Sequence, residues 1–279
     1  MTLCVAWKTE NRISLASDSR VCFDNGGHAD VGIKVVALDV RVLSADELSP
    51  GTFAVLYQHT WGLCFAGNFC AAYSVREFLS GFMANLQYAG VKADFNMEDL
   101  CGLILEFYKR TTIELSLPLK ENGEFELVLT GFCPASAKTR AFRFIFEWDD
   151  LKRMKTPHFK EILTDSAYYF FGKGTADAEQ AYLAGKESRI DCRMLSSIRT
   201  VIKSKAHPSV GGSIQCGGFE GDEFYVYGIQ ESFKDDDGLL VMQSTYKGHT
   251  MQGQFNVLTM GKFIGKIIYL VPFLDDIGS

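Results

Sequence analysis

Three residues near the start of the sequence have side chains that together could perform acyl-transfer chemistry. Thr2 follows the initiator methionine, and a small residue at this position usually permits removal of that methionine, which leaves a free α-amine on Thr2. A threonine hydroxyl is a weak nucleophile unless a base activates it, and an α-amine with a pKa of about 7.7–8.0 can be that base. The cation of Lys34 would disfavour the ammonium form of this amine, and the carboxylate of Asp18 would hold Lys34 charged and oriented. These three residues are therefore candidates for nucleophile, cation and orienting carboxylate.

Two alternating runs are expected to bring these residues together. Residues 3–8 alternate in polarity, a polar triplet follows, and residues 12–17 alternate again. This pattern predicts a β-hairpin whose far end returns to its start, which places Asp18 near Thr2. Residues 32–36 predict a further strand that carries Lys34 among apolar neighbours. A surface ion pair, or a lysine that reaches water along an apolar strand, would explain the same residues without catalysis.

Three parts of this sequence resemble the start of a proteasome β-type subunit. They are Thr2-Leu3-Cys4-Val5-Ala6-Trp7-Lys8, Leu15-Ala16-Ser17-Asp18-Ser19-Arg20 and Lys34. The spacing of Thr2, Asp18 and Lys34 matches the catalytic spacing of that family, which belongs to the N-terminal-nucleophile hydrolases. The resemblance implies an α+β fold, a four-layer αββα sandwich of two antiparallel sheets. It covers about residues 2–229, so we expect one such domain at 1–229 and a C-terminal extension at 230–279 that packs on it.

The resemblance also implies an oxyanion donor and a substrate pocket. Gly67 matches the strand-to-helix turn where a glycine N–H supports the oxyanion, although a tight turn alone also favours glycine. The pocket for the side chain that precedes the cleaved bond would be lined by Val21, Gly32, Val36, Phe65 and Phe69. Because this set is apolar, an apolar substrate side chain is expected.

Several positions depart from the family pattern. Lys173 and Val210 stand where the family has serines, and His207 stands where it has an aspartate. Such helper residues tune the terminal amine by hydrogen bonds, so their change affects efficiency more than identity. Ser19, Lys173 and His207 are candidate auxiliary residues. His207 could carry a proton, but a histidine before a proline is more often a plain loop residue.

The periodicity of the remaining sequence predicts the supporting elements. Strands are expected at 52–57 and 62–68, helices at about 71–88, 97–111, 175–184 and 194–202, and a loop at 149–160. Asn96 is the predicted N-cap of the second helix. An insertion relative to the family is expected around residues 39–60. The tail after residue 230 is expected to form extra strands or an arm.

Composition limits the class of protein. Apolar residues make up 47% and charged residues 22% of the chain, with a net charge of −6 and no basic run, which argues against nucleic-acid binding. No apolar run approaches the roughly 20 residues of a membrane span, and no secretory signal is recognisable. The eight cysteines lack metal-ligand spacing, so no metal is expected, and no cofactor is expected either. The lack of a secretory signal and of a membrane span predicts reduced thiols in a cytoplasmic protein.

Two functions from different classes fit these observations. The first is a threonine-type peptidase or amide hydrolase that acts on peptide or protein substrates in a self-compartmentalising homo-oligomeric ring. The second is a non-catalytic proteasome-like subunit that has a structural or partner-binding role, which the changed residues at 173, 207 and 210 favour. A small-molecule amidase of the same fold is a further alternative. The resemblance also raises the question of an ATPase partner.

Overall fold

The computed structural model describes residues 2–23, 25–44, 54–89, 94–119, 123–148, 155–234, 240–251, 257–260, 263–266 and 269–270. Along the chain the elements are β1 (Leu3–Thr9), β2 (Arg12–Asp18), β3 (Val21–Cys22), β4 (His28–Ala29), β5 (Val35–Ser44), β6 (Val55–Gly67), α1 (Phe69–Met83), β7 (Leu86–Tyr88), α2 (Met97–Leu119), β8 (Phe125–Cys133), β9 (Lys138–Trp148), β10 (Lys155–Ile162), β11 (Tyr168–Gly172), α3 (Thr175–Ala184), α4 (Ile190–Ser204), β12 (Ile214–Glu220), β13 (Glu223–Lys234), β14 (Leu240–Tyr246), β15 (His249–Met251), β16 (Val257–Met260), β17 (Phe263–Lys266) and β18 (Tyr269–Leu270). No helix among these residues is both long and apolar enough to cross a membrane.

Two large sheets contain most of these strands. One has the strand order β11-β1-β2-β12-β13-β14-β15, with β18 beside β13, and the other has the order β10-β9-β8-β6-β5-β7. Their pairs are antiparallel, apart from the short parallel pairs β5–β7 and β13–β18. Sequence neighbours such as β1 and β2 pair as hairpins, whereas β11 and β12 join this hairpin from distant parts of the chain.

Three hydrophobic clusters lie between four layers. The first packs α1 and α2 on the smaller sheet, the second packs α3 and α4 on the larger sheet, and the third lies between the two sheets. Strand β1 shows how alternation serves two layers, because Leu3 and Val5 face the helices while Cys4 and Ala6 face the other sheet. The predicted four-layer αββα sandwich is confirmed.

Some boundaries differ from the sequence prediction. The two strands expected at 52–57 and 62–68 are one strand, β6, which pairs with β5 from Val55 to Cys64. The helix expected to reach residue 88 ends at Met83. Strand β10 occupies residues 155–160 of the segment expected to be a loop, and the first half of that segment lies outside the described residues. Lys34 immediately precedes β5 instead of lying within a strand. The central part of the insertion expected around residues 39–60 lies outside the described residues.

The C-terminal part of the chain continues the larger sheet. Strand β13 runs through the expected boundary at residue 229, and β14 pairs with it from Gly228 opposite Tyr246 to Lys234 opposite Leu240. Strand β15 then pairs with β14. The division of the chain at residue 229 stays a prediction.

Candidate active site

The β1–β2 hairpin places the carboxylate of Asp18 beside the start of the chain. The two strands pair from Cys4 opposite Ser17 to Thr9 opposite Arg12, so the end of β2 returns to the beginning of β1. Asp18 Oδ1 accepts a hydrogen bond of 3.0 Å from the backbone N–H of Leu3, the residue after Thr2. Thr2 is itself buried, with 4% of its surface exposed. The hairpin thus fixes the backbone that carries the candidate nucleophile.

Lys34 completes a buried ion pair at the same point. Its Nζ lies 3.1 Å from Asp18 Oδ1 and donates a 2.5 Å hydrogen bond to the carbonyl oxygen of Arg20. The side chains of Lys34 and Asp18 are 1% and 0% exposed. A charge without water needs such partners, because transfer into a protein interior is otherwise very costly. The structure therefore brings Asp18 and Lys34 together next to the Thr2–Leu3 peptide.

Both oxygens of Asp18 are fully used. Oδ1 accepts from Leu3 and Lys34, and Oδ2 accepts from the backbone N–H groups of Arg20 and Gly211, each at 3.0 Å. Gly211 belongs to the loop before β12, which pairs with β2. The carboxylate therefore joins three separate parts of the chain around one point.

The carbonyl that holds Lys34 is itself braced by an ion pair. Arg20 donates to Asp30 through two nitrogens, Nε to Oδ1 at 2.7 Å and Nη2 to Oδ2 at 2.9 Å. Hydrogen bonding to Arg20 lowers the pKa of the Asp30 carboxyl below its usual value. The hydroxyl of Ser19 adds two links, since it donates to the Asp30 carbonyl at 2.7 Å and accepts from the Ser213 N–H at 2.8 Å. Ser19 thus braces the loop that surrounds the site.

Two glycines lie where the ends of β6 and β11 approach Thr2. Gly67 has φ +119°, and a Cβ there would lie 2.6 Å from Phe125 Cα. Gly172 has φ +91°, and a Cβ there would lie 1.9 Å from the carbonyl oxygen of Thr2 and 2.9 Å from Ala66 Cβ. Only glycine fits either position. The closeness of Gly172 to both Thr2 and Ala66 places the Gly67 turn, which follows Ala66, at the same end of the sandwich as Thr2.

The three positions that depart from the family pattern have different surroundings. The backbone N–H of Lys173 donates to the carbonyl oxygen of Thr2 at 2.8 Å, while its side chain is exposed. His207 Nε2 lies 2.7 Å from Asp177 Oδ2 on α3. Val210 is 2% exposed and packs in the cluster between the larger sheet and its helices. Lys173 is therefore next to Thr2 through its backbone, and the His207 ring pairs with Asp177.

The residues expected to line a substrate pocket fall into two groups. Val21, Gly32 and Phe69 meet, because a Cβ on Gly32 would lie 2.3 Å from Val21 Cγ2 and 3.4 Å from Phe69 Cε2. Phe65 contacts Phe69 with ring centroids 5.9 Å apart, but Phe65 and Val36 are 1% and 3% exposed in the core under α1. Val21 and Phe69 are half-buried, whereas Gly32, Phe65 and Val36 are buried, and their lining of a substrate pocket stays a prediction.

Sequence reasoning missed Gln215. This side chain is 1% exposed on β12, and its Oε1 accepts the backbone N–H of Lys34 at 2.9 Å and that of Val35 at 3.3 Å. Its Nε2 donates to the carbonyl oxygen of Gly32. One amide therefore fixes the segment that delivers Lys34. A glutamine between Ile214 and Cys216 in a predicted strand was the available signal, because an isolated buried amide requires partners.

Buried thiols near the site do not offer a competing nucleophile. Cys4 and Cys64 are completely buried, and Cys4 Sγ donates to the carbonyl oxygen of Phe65 at 3.2 Å. Burial raises the pKa of the Cys64 thiol well above its usual value. A thiol whose pKa is raised by burial, as that of Cys64 is, stays protonated and unreactive.

The fold is similar to that of solved structures. They include Anbu (ancestral beta-subunit) from Yersinia bercovieri, with a TM-score of 0.55 and 16% identity over 81% of this chain and 87% of that chain. Anbu from Pseudomonas aeruginosa, described as a helical assembly, has a TM-score of 0.56 and 16% identity over 81% and 86% of the two chains. A Gly-1 mutant of Anbu from Hyphomicrobium sp. strain MC1 has a TM-score of 0.53 and 17% identity over 81% and 84%. No protein-family model matches the sequence, and no curated protein is a significant sequence match.

These similarities concern the fold. The chain shares the αββα fold of these structures, with two sheets between helix layers. At 16–17% identity the solved structures do not carry an activity over to this chain.

Proposed function

We propose that this chain is an N-terminal threonine hydrolase that cleaves peptide or amide bonds. The observation that carries the proposal is the buried Asp18–Lys34 pair, whose carboxylate also holds the Leu3 N–H directly after Thr2. A structural ion pair gains little from full burial, because the loss of hydration offsets the attraction between the charges. A catalytic requirement for an oriented cation beside the nucleophile would explain why this ion pair is buried.

In the proposed reaction, removal of Met1 exposes the α-amine of Thr2. Thr2 Oγ attacks the substrate carbonyl carbon as the amine takes the hydroxyl proton. The Gly67 N–H donates a hydrogen bond to the carbonyl oxygen, which becomes negatively charged. The C–N bond of the substrate then breaks, and the proton passes from the ammonium group to the leaving amine. The resulting ester is attacked by water, whose proton returns through the same amine to Thr2 Oγ as the acid is released.

Lys34 and Asp18 have electrostatic roles in this proposal. The Lys34 cation favours the neutral form of the nearby amine, which is the form that can accept a proton. Asp18 holds Lys34 in place and orients the Thr2–Leu3 peptide through its N–H. Val21, Gly32 and Phe69 would receive an apolar side chain of the substrate, with Phe65 and Val36 behind them.

The second candidate is a non-catalytic subunit of the same fold. His207 is already paired with Asp177, Val210 is buried in the core, and Lys173 exposes a cation in place of a serine. Val210 has no polar side-chain atom and the His207 ring is engaged by Asp177, so neither replaces the hydrogen bond of the family residue at its position. The same experiment separates the two functions.

Intact-mass spectrometry with an electrophilic β-lactone or epoxyketone tests the proposal. We expect a chain that begins at Thr2 and gains one adduct, which peptide mapping places on Thr2. The variant Thr2→Ala should gain none. Thr9→Ala is a matched control, because Thr9 is on the same strand and its Oγ1 has no hydrogen-bond partner among the described residues, so this variant should label like the unaltered protein. A retained Met1, or an unlabelled Thr2, favours the non-catalytic subunit.

We also propose that the chain assembles with copies of itself. The structure of Pseudomonas aeruginosa Anbu is described as a helical assembly, and its fold is shared over 81% of this chain. Native mass spectrometry and electron microscopy should show an oligomer, and the images will distinguish the expected closed ring from a helical arrangement. A monomer at micromolar concentration would rule out this part of the proposal.

A further inference from the structure

Three side chains with metal-binding chemistry meet at the end of β6 that is remote from Gly67. His59 lies on β6, Asp222 lies in the turn between β12 and β13, and Glu223 begins β13. His59 Nδ1 is 3.5 Å from Asp222 Oδ2 and 3.2 Å from Glu223 Oε1. One ligand atom from each residue lies within 4.8 Å of the other two. Strands of both sheets therefore contribute to one cluster.

The three ligand atoms are close enough to one another to share one ion at a common point. His59 Nδ1 is buried and has no aligned hydrogen-bond partner in the described part of the chain, although two carboxylate oxygens are close to it. Ligand atoms bound tetrahedrally to Zn²⁺ at about 2.0–2.2 Å lie about 3.3–3.6 Å from each other. The two nitrogen–oxygen separations match that spacing, and a metal ion would give the unpartnered nitrogen a bond.

The surroundings already orient two of the ligands. Glu223 Oε2 accepts the backbone N–H of Thr60 at 2.6 Å, which leaves Oε1 for the common point. The imidazole of His59 packs between the rings of Tyr57 and Phe132, with centroids 4.6 Å and 5.2 Å away. Contacts that fix the orientation of ligands in this way raise metal affinity, because less freedom is lost on binding.

A cavity of about 390 Å³ opens beside the cluster and contains further charges. Asp39 lines it and adds a carboxylate. Arg41 also lines it, but its guanidinium is held by the carbonyl oxygen of Ala84 and by Asn85 Oδ1, both at 3.1 Å. Asp222 is 53% exposed, so an ion and its water ligands can enter from this side.

We propose that His59, Asp222 and Glu223 bind one divalent transition-metal cation of the Zn²⁺ type. One imidazole nitrogen with two carboxylate oxygens suits Zn²⁺ or Mn²⁺ better than Mg²⁺, which prefers oxygen ligands alone. The cavity supplies space for water as the remaining ligand. This site is independent of the proposed hydrolase function, since residues 59 to 67 of an extended strand span about 26 Å.

The role of the ion follows from its position. His59 belongs to the smaller sheet, whereas Asp222 and Glu223 belong to the hairpin turn of the larger sheet. A bound metal therefore fastens the two sheets at the end where Thr2 does not lie. Sequence spacing did not indicate this site, because its ligands are far apart in the chain and only one of them is a histidine.

Titration calorimetry and thermal unfolding of the full chain, first stripped with a chelator, test the proposal. We expect ZnCl₂ to bind with a stoichiometry of about one and to raise the unfolding temperature by about 4 °C or more at saturation. MgCl₂ should have no such effect. Replacement of Zn²⁺ by Co²⁺ should give visible absorption bands in the unaltered protein. This measurement does not require any variant to fold correctly.

Variants assign the site to these residues. His59→Gln and Glu223→Gln should each weaken Zn²⁺ binding by about tenfold or more. His158→Gln is the matched control, because His158 Nε2 lies 3.2 Å from Glu147 Oε2 in a histidine–carboxylate pair outside any described cluster of three ligands. The Zn²⁺ affinity of His158→Gln should equal that of the unaltered protein. If Zn²⁺ does not bind saturably, or if His59→Gln binds it equally well, the proposal is wrong.

Discussion

Lys34 Nζ lies 3.1 Å from Asp18 Oδ1, in a pair whose side chains are 1% and 0% exposed. Three N–H groups of the backbone also donate to this carboxylate, and the carbonyl oxygen of Arg20 accepts from the ammonium group. The pair is thus the centre of a network that joins β1, the loop after β2, the segment before β5 and the loop before β12. Its energetics can be measured without any assumption about catalysis.

Replacing both Asp18 and Lys34 should destabilise the protein by less than the sum of the two single replacements. Asp18→Asn and Lys34→Met each leave a buried group without its partner, so we expect each to lower the free energy of unfolding by about 3–5 kcal/mol. The double variant should be more stable than the sum of the two losses predicts, by about 0.5–3 kcal/mol. Urea unfolding of the four proteins gives this coupling energy.

A half-exposed pair provides the control for that cycle. Lys155 Nζ and Glu124 Oε1 are 2.6 Å apart, with side chains 33% and 37% exposed. Lys155→Met and Glu124→Gln should couple by less than about 1 kcal/mol, because water screens the charges. Equal coupling energies in the two cycles would contradict the prediction that burial strengthens the coupling between Asp18 and Lys34.

Gly172→Ala should displace Thr2. A Cβ at this position would lie 1.9 Å from the carbonyl oxygen of Thr2, which is backbone and cannot rotate away. The control is Gly26→Ala, since Gly26 has a similar φ of +81° but nothing within 4 Å of its Cβ position. Gly26→Ala should cost about 1–2 kcal/mol from the left-handed conformation alone, and Gly172→Ala about 1–3 kcal/mol more from the clash. Chemical denaturation measures both, and equal losses would show that Thr2 is not held tightly against Gly172.

The Arg20–Asp30 pair predicts a pH dependence of stability. Hydrogen bonding to Arg20 lowers the pKa of Asp30, so its contribution to stability is present above the usual carboxyl pKa of about 3.9 and is lost as the pH falls through the lowered value. At neutral pH the unfolding temperature of the unaltered protein should be about 1–3 °C higher than that of Asp30→Asn. The difference is small because Asp30 is 38% exposed. Thermal unfolding between pH 7 and 3 should show this gap closing below about pH 4. Asp165→Asn, in an exposed loop, should show no gap, and a gap that widens in acid would contradict the prediction.

The hairpin and its consequence for the site could be predicted because they depend on local alternation. Once the polar turn sets the register of β1 and β2, Asp18 must lie next to the start of the chain. The capping of α2 was also local, since Asn96 Oδ1 accepts the Asp99 N–H at 2.8 Å and Asp99 Oδ2 accepts the Asn96 N–H at 2.9 Å.

The errors arose where partners distant in sequence decide the structure. Separate strands were expected to end at residue 57 and to begin at residue 62, yet β6 continues through residues 58–60 because β5 supplies backbone partners there. Pro157 suggested a loop, but β10 is an edge strand, where a missing N–H is tolerated. Leu86 continued the helical period of α1, whereas Asn85 ends the helix by donating to Gly81 and Phe82 carbonyls, and residues 86–88 pair with β5.

Val21 should control the size of the substrate side chain if the proposed function is correct. Its Cγ2 occupies the space above Gly32, and Phe69 closes the same space from α1. Val21→Ala removes two methyl groups and should favour a larger side chain, because each additional methylene in an apolar pocket contributes about 1–3 kcal/mol to binding. Two epoxyketone probes that differ only in an alanine-sized or leucine-sized side chain before the reactive carbonyl measure this preference as a ratio of labelling rates at Thr2.

We expect Val21→Ala to shift that ratio toward the larger probe by about tenfold. Val31→Ala is the control, since Val31 is adjacent to Gly32 in sequence but 52% exposed, and its ratio should equal that of the unaltered protein. Labelling at an unchanged ratio in Val21→Ala would show that Val21 does not line the subsite, while the nucleophilic role of Thr2 would stand. An absence of labelling in all three proteins would instead count against the hydrolase itself, so the two failures are distinguishable in a single mass spectrometry series.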